Sequence, residues 1–502
     1  MAVAENFVEA PDIAAPPEAP TAAHGELRPP VGVKFAYAFG QMIESGYLVV
    51  ASFVFFYYTA VLGLSGTLVG TALAISMCLD ALMDPLIGSI SDNVRSRLGR
   101  RLPLMLIACP FVVLMLGMLF APPAGLAPFL LFGWLVLAKM GLRGAASLYN
   151  LPYAALGAEM ADGYVERASV VAYRAVAGIV IGVLITGLAY GYFFAGKGGL
   201  QVRDHYPAFG WSVAVLMVAG AAICCAGVWR YARRLPQPTT PPSPMLLGLF
   251  RELPEVFRNA SFRTLFVSAV MFWVAAGVNG AFNNYAYVFV WKVRPERIQL
   301  ISYAYFGGIL FGVPVARALL NRLEKKTVIL QGLALVLVCF LTLQVLRATG
   351  LFMLSGDAAL PWLSGNAAII GLGVGLLSVA YPAMMADAAD EHEVLFGARR
   401  EGLYFAGLGF AAKAASGLGQ MAAGFALDAL HFPKAAGGHA GAVVAEPVLR
   451  LLVLAWGPLA AIFAFAGAIA LLPYAITRLR HHDIAAQVKT RRAAELSAAR
   501  SS

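Results

Sequence analysis

Residues 66–91 read GTLVGTALAISMCLDALMDPLIGSIS. The run carries no charge before Asp80, and its length suits the roughly 17 to 25 residues a helix needs to cross about 30 Å of hydrocarbon. In lipid a segment must satisfy its backbone polar groups internally, and the run lacks the period-two alternation of a membrane barrel, so it reads as a transmembrane helix. Comparable runs recur near 34–61, 103–122, 127–158, 170–196, 209–230, 264–291, 298–320, 327–346, 361–387, 402–430 and 450–475. The expected fold is an all-α membrane protein with twelve spans in two six-helix bundles. Composition agrees, with 60% hydrophobic and 13% charged residues and a mean hydropathy of +0.74, which excludes a soluble domain.

The formal charge of +10 points to topology and not to nucleic acid. With both ends inside, the inner segments hold about 25 Lys and Arg residues and the outer loops about 8, a threefold bias that places both termini in the cytoplasm of a bacterial inner membrane. The Ala-, Pro- and Glu-rich stretch 1–33 has no signal-peptide pattern and reads as a disordered cytoplasmic tail. Cys78, Cys109, Cys224, Cys225 and Cys339 fall inside spans as small apolar residues. The scattered His residues form no metal-ligand cluster, so no cofactor and no enzyme chemistry are expected.

The connection 231–263, starting near RYARRLPQPTTPPSP, separates a bundle over 34–230 from one over 264–475, and 476–502 forms a basic tail. Each half has a basic turn after its second span, GSISDNVRSRLGRR from Gly88 and GVPVARALLNRLEKK from Gly312. Each begins with a Gly expected to allow close helix approach. Gly88, Asp92, Arg95, Arg100 and Arg101, with Arg399 and Arg400 before span eleven, are assigned to gating on the cytoplasmic face. This parallel six-plus-six repeat resembles the major facilitator superfamily, whose halves rock about a midplane site.

A carboxylate at mid-bilayer costs roughly 2.5–3.5 kcal/mol, so each needs a partner, a cavity or a task. Asp80 and Asp84 lie one turn apart on one helix face. Two anions at that spacing repel unless a cation or proton lies between them, which marks a coupling-ion site. Lys413, at mid-depth of span eleven, needs an anionic counterpart, and Asp80 and Asp84 are the candidates. Lys139, Arg143, Ser147 and Asn150 form one stripe of span four expected to line the cavity. Asn279, Asn283, Asn284, Tyr285 and Tyr287 on span seven suit hydroxyl-bearing ligands. On span one, Gln41, Glu44 and Ser45 are further candidates, with Arg174 proposed as the partner of Glu44.

Taken with KFAYAFG (34–40), DALMDPLIGSISDNVRSRLGRRLP (80–103), YNLPYAALGAEM (149–160) and DAADEHEVLFGARREGLYFAGLGFAAK (387–413), the chain resembles the glycoside-pentoside-hexuronide:cation symporter family from Lys34 to about Pro473. The resemblance implies that Asp80, Asp84, Ser147 and Lys413 match the family's cation site, with sodium or a proton as coupling ion, and that Arg174 matches an arginine near its sugar site. One ion ligand departs: the amide before the second aspartate is Met83, whose thioether suits a hard ion poorly and favours proton coupling over sodium at Asp80 and Asp84. The sugar site departs further, since two expected acids are Ser45 and Asn150 and two expected aromatics fall at Ala154 and near Ser378. The substrate-binding set is then Gln41, Glu44, Ser45, Asn150, Arg174, Asn283, Asn284, Tyr285 and Ser378.

The expected function is cation-coupled symport of a sugar- or glycoside-like solute by a monomer whose partners are that solute and the bilayer. A lysolipid or amphiphile carrier of the same fold is the alternative. An intramembrane aspartyl protease is disfavoured, because such enzymes carry their acids on separate helices, in YD and GxGD contexts.

Overall fold

Each apolar run forms one long helix, as hydrocarbon burial of an internally hydrogen-bonded backbone requires. The first half comprises α1 (Val31–Val61), α2 (Gly66–Asn93), α3 (Leu102–Phe120), α4 (Pro128–Glu159), α5 (Val165–Phe193) and α6 (His205–Ala232). The second comprises α7 (Ala260–Val290), α8 (Pro295–Arg322), α9 (Lys325–Ala348), α10 (Leu360–Phe396), α11 (Glu401–Ala429) and α12 (Glu446–Leu471). A further helix, α13 (Arg478–Ser501), packs on α10. This computed structural model describes residues 28–94, 96–161, 163–196, 198–235, 254–397, 400–433 and 444–501. The expected tail over 1–33 lies outside these up to residue 27, and its last three residues instead open α1. Most of the connection 231–263 also lies outside them, at 236–253.

Eleven of the helices are long and apolar enough to span a membrane on composition alone. The twelfth, α11, is rich in Gly and Ala, carries Lys413, and packs between α2 and α7. Small residues make that enclosure close, because van der Waals packing drives association where lipid is as apolar as the helix. A Cβ on Gly424 would stand 2.1 Å from the carbonyl oxygen of Gly66, and one on Gly70 would stand 2.8 Å from that of Gln420.

The repeat is visible in the helices themselves. α1 and α7 are both 31 residues long, and both end in a π-helical turn, at Tyr57–Val61 and Ala286–Val290. α2 and α8 are both 28 residues long, and Pro85 and Pro314 occupy the same place along them. The two turn glycines are not equivalent, contrary to the sequence reading. Gly312 packs against Leu372 and Gly375 of α10, whereas a Cβ on Gly88 would meet nothing within 4 Å, so Gly88 serves no close helix approach.

The halves meet along α1 and α7, α2 and α11, and α5 and α8. At the end bearing the α1–α2 and α7–α8 connections the contact is dense. The Thr59 and Tyr285 hydroxyls hydrogen-bond each other, Asn284 Nδ2 donates to the Ser52 carbonyl at 3.1 Å, and Phe56 stacks edge-on against Tyr285.

Candidate functional site

Asp80 sits halfway along α2 with no exposed side-chain area, so its charge must be met by protein. Two helices meet it. From α4, Ser147 Oγ donates to Oδ1 at 2.8 Å, and Arg143 Nε lies 2.8 Å from Oδ2. From α11, Lys413 Nζ lies 2.8 Å from the same Oδ2 and hydrogen-bonds Asp84 Oδ2. The ammonium is thus shared by the two aspartates and relieves the repulsion their one-turn spacing creates. This pairing joins the two halves.

The network continues into α1. Asn150 Nδ2 donates to Glu44 Oε2 at 2.5 Å, and Arg143 Nη1 stands 3.6 Å from the same oxygen. The Tyr47 ring faces both Lys139 Nζ, 4.4 Å from its centroid, and Arg143 Cζ, at 4.7 Å. Lys139 is buried and hydrogen-bonds no described residue, so the ring's negative face is the contact that offsets its desolvation. Glu44, Asp80 and Asp84 balance Lys139, Arg143 and Lys413 in charge. Asn150 and Arg143, not Arg174, are the partners of Glu44. Arg174 lies beside the Tyr37 and Tyr153 hydroxyls.

Beside this network lies a cavity of about 430 Å³ between the halves, within the roughly 300–1,000 Å³ typical of ligand sites. Its lining includes Tyr47, Met77, Thr186 and Tyr190 from the first half and Trp273, Asn279, Asn283, Asn366, Ser416 and Gln420 from the second, with no Asp, Glu, Lys or Arg among the described residues. Met77 and Ser416 stand one turn from Asp80 and Lys413, so cavity and charge network are contiguous. Two of the amides are already engaged where α12 breaks at Gly457. Asn279 Nδ2 donates to the Trp456 carbonyl at 3.3 Å, and Asn283 Oδ1 accepts from Trp456 Nε1 at 2.8 Å.

A family model described as MFS/sugar transport protein matches residues 36–478. The chain belongs to this family. It is therefore a multi-pass membrane transporter and not an enzyme. Among its relatives, the inner membrane symporter YicJ of Escherichia coli is 25% identical over 86% of this chain and 87% of that protein. The isoprimeverose transporter of Lactiplantibacillus pentosus is 22% identical over 80% of each. The glucuronide carrier protein homolog of E. coli is 24% identical over 78% of this chain and 79% of its own. The fold is shared more widely. A bacterial homologue of the human lysosomal transporter Spinster, inward-facing and unoccupied, superposes with TM-score 0.58 at 15% identity, covering 89% of this chain and 98% of that one. The nucleoside transporter NupG superposes with TM-score 0.60 at 14% identity, covering 88% and 99%.

In this MFS sugar-transport chain the structure brings Asp80, Asp84, Ser147 and Lys413 together, with Glu44 and Asn150 beside them. Asn283 and Asn284 line the cavity, but Gln41, Ser45, Arg174 and Ser378 do not. Ser45 Oγ donates to the Gly178 carbonyl at 3.1 Å, which ties α1 to α5, and Ser378 Oγ donates to Gly375 in its own helix at 2.8 Å. Tyr285 is fully buried in the closed end, outside the cavity lining. In the loop after α2, Arg101 pairs with Asp92 at 2.7 Å and, together with Arg100, with Glu159 of α4, at 2.7 and 2.6 Å. Glu159 escaped the sequence reading, although it lies inside the quoted YNLPYAALGAEM. The Arg400 carbonyl accepts from Leu403 at the start of α11. Arg95 and Arg399 lie outside the described residues. Trp273, Asn366 and Gln420 also went unread, and Gln420 carried a signal, since it lies two turns from Lys413 on one face.

Proposed function

We propose that the chain carries a neutral, hydroxyl-rich solute of sugar or glycoside type together with a cation, by alternating access. One observation carries this reading. An uncharged polar and aromatic cavity between the halves abuts two membrane-buried carboxylates whose shared counter-charge, Lys413, comes from the opposite half. Aromatic faces and amides suit sugar rings and hydroxyls. The uncharged lining favours a neutral glycoside over a uronate, and the names of the isoprimeverose and glucuronide relatives support the class.

Rocking of the halves alternately breaks the contacts at each end, while the Lys413 link can be remade as an ion binds or leaves. One positive charge moving inward releases ~2.3 kcal/mol per 100 mV, enough for about a fifty-fold solute gradient. The Lys and Arg bias supports cytoplasmic termini in a bacterial inner membrane, which makes the closed end the outer one and the conformation inward-facing. We take the working unit to be the monomer, since site and cavity are complete within one chain. Phe55, Phe272, Phe306 and Phe340 on the same lining carry a second reading, transport of an amphiphile.

The test is uptake into proteoliposomes of a panel of neutral glycosides, pentoses, uronates and labelled lysolipids, with sodium and proton gradients imposed separately. Accumulation of a neutral glycoside above its outside concentration is expected. Failure of every solute to accumulate under any gradient would overturn the symport reading.

A further inference from the structure

We infer that Arg143 is a tethered replacement for a metal ion on Asp80, so that this site excludes sodium and lithium. The inference rests on the cation-coupled reading above and narrows it. A small hard cation is held by several oxygens at once. The oxygens on offer here are those of Asp80, Asp84 and Ser147, and they are largely spoken for. Asp80 Oδ1 accepts from Ser147. Asp80 Oδ2 lies 2.8 Å from Arg143 Nε and 2.8 Å from Lys413 Nζ. Asp84 Oδ2 is bonded to Lys413. Asp80 Oδ2 makes no hydrogen bond and is held by those two cations, Arg143 and Lys413, alone, whereas Asp84 Oδ1 has neither a hydrogen bond nor an ion pair among the described residues, and one open oxygen does not make a metal site.

Lys413 can leave, because a flexible ammonium that is a quarter exposed can swing away. Arg143 cannot do so as easily. Its side chain is 9% exposed, its charge is permanent, and it is held by Glu44 at 3.6 Å and by the Tyr47 ring at 4.7 Å. Lys139 adds a second fixed positive charge against the other contact of that ring. An incoming metal ion would therefore meet Arg143 beside the carboxylate and Lys139 on the same Tyr47 ring, in a group whose three acids and three bases already cancel. Met83 offers no relief, since its thioether is a poor ligand for a hard ion and its side chain is 43% exposed.

The experiment measures the thermal unfolding of the purified full-length protein in sodium, lithium and choline chloride at equal ionic strength. Anything that binds the folded state alone raises its melting temperature saturably. The wild type is expected to melt at the same temperature in all three salts. Arg143→Ser, which frees Asp80 Oδ2 beside Ser147, is expected to gain a saturable upward shift in sodium or lithium, and Arg143→Lys is expected to gain none. A saturable sodium or lithium shift in the wild type overturns the inference, as does a folded Arg143→Ser protein indifferent to both ions. The wild-type measurement decides by itself if Arg143→Ser does not fold. The melting readout needs no transport, so the two failures are distinguishable: uptake driven by a sodium gradient would sink the exclusion and leave symport standing, whereas absence of all uptake would sink symport and leave the ion measurement to decide the exclusion.

Discussion

Asp428, at the end of α11, accepts a hydrogen bond from the backbone N–H of Thr67, the second residue of α2, at 2.8 Å. Its other oxygen accepts from Gly66 at 2.9 Å. An acid from the second half thus caps a helix of the first, satisfying N–H groups that have no intrahelical partner and facing the positive end of the helix dipole. Ser65 provides the local cap, accepting from Leu68 at 3.3 Å. Beside its aromatic contacts the closed end is thus held by hydrogen bonds between the halves that can be released and remade, as a gate requires.

Replacing Asp428 by Ala should weaken that closure. Loss of a capping side chain costs ~1 kcal/mol, which corresponds to about a fivefold rise in the ratio of outward-open to inward-open protein. Alkylation of Ser52→Cys in the cavity by a membrane-impermeant maleimide added from outside reads that ratio. Equal labelling rates with and without the Asp428 change would remove Asp428 from the gate.

Two glycines of α11 should fail in different ways. A Cβ on Gly424 meets the Gly66 carbonyl oxygen at 2.1 Å, across the halves, and one on Gly419 meets that of Val274 at 2.2 Å, within the second half. Gly424→Ala is expected to lose transport while keeping its melting temperature, because the halves can separate. Gly419→Ala is expected to lower stability by about 1–3 kcal/mol, as overpacking does. Matching melting curves and matching uptake for the two variants would contradict this division.

Asn366 and Gln420 line the cavity from α10 and α11, and their side chains make no hydrogen bond among the described residues, unlike those of Asn279 and Asn283. They are the amides free to meet a solute. Asn366→Ala and Gln420→Ala should each raise the KM of a transported glycoside about tenfold, the equivalent of one lost hydrogen bond of ~1–1.5 kcal/mol, whereas Ser378→Ala should leave it unchanged. The comparison needs only initial rates, and an unaltered KM in both amide variants would move the binding site elsewhere.

The sequence already held the spans, because hydropathy sums over many residues and tolerates local exceptions. It also held Asp80, Asp84 and Lys413, because a charge at mid-depth is costly enough to stand out singly. Pairing was less legible. Arg143 was visible on the stripe with Ser147, but its contact with Asp80 depends on how α2 packs on α4, and Glu44 was matched to Arg174 when the nearer cation came from α4. Neutral side chains were the hardest to read: Asn366 and Trp273 cost little to bury and leave no periodic trace. Gly88 misled for the opposite reason, since a glycine at a span end looks like a packing site whether or not a neighbour is there.

The Arg143–Asp80 pair can be tested for its energetic role separately from ion binding. Breaking a buried pair by removing one partner typically costs ~3–5 kcal/mol, because the other charge is left uncompensated. Asp80→Asn leaves Arg143 only the more distant Glu44 at 3.6 Å while Lys413 retains Asp84, and Arg143→Gln leaves Asp80 with Lys413 at 2.8 Å, so the aspartate change should be the more destabilising. The double variant restores charge balance at this position and should unfold at a higher temperature than Asp80→Asn alone. Thermal unfolding of the four proteins closes the cycle, and the coupling between the two sites is its readout. Strictly additive losses would mean that the two side chains do not interact, and the assignment of Arg143 as resident counter-charge would fall with them.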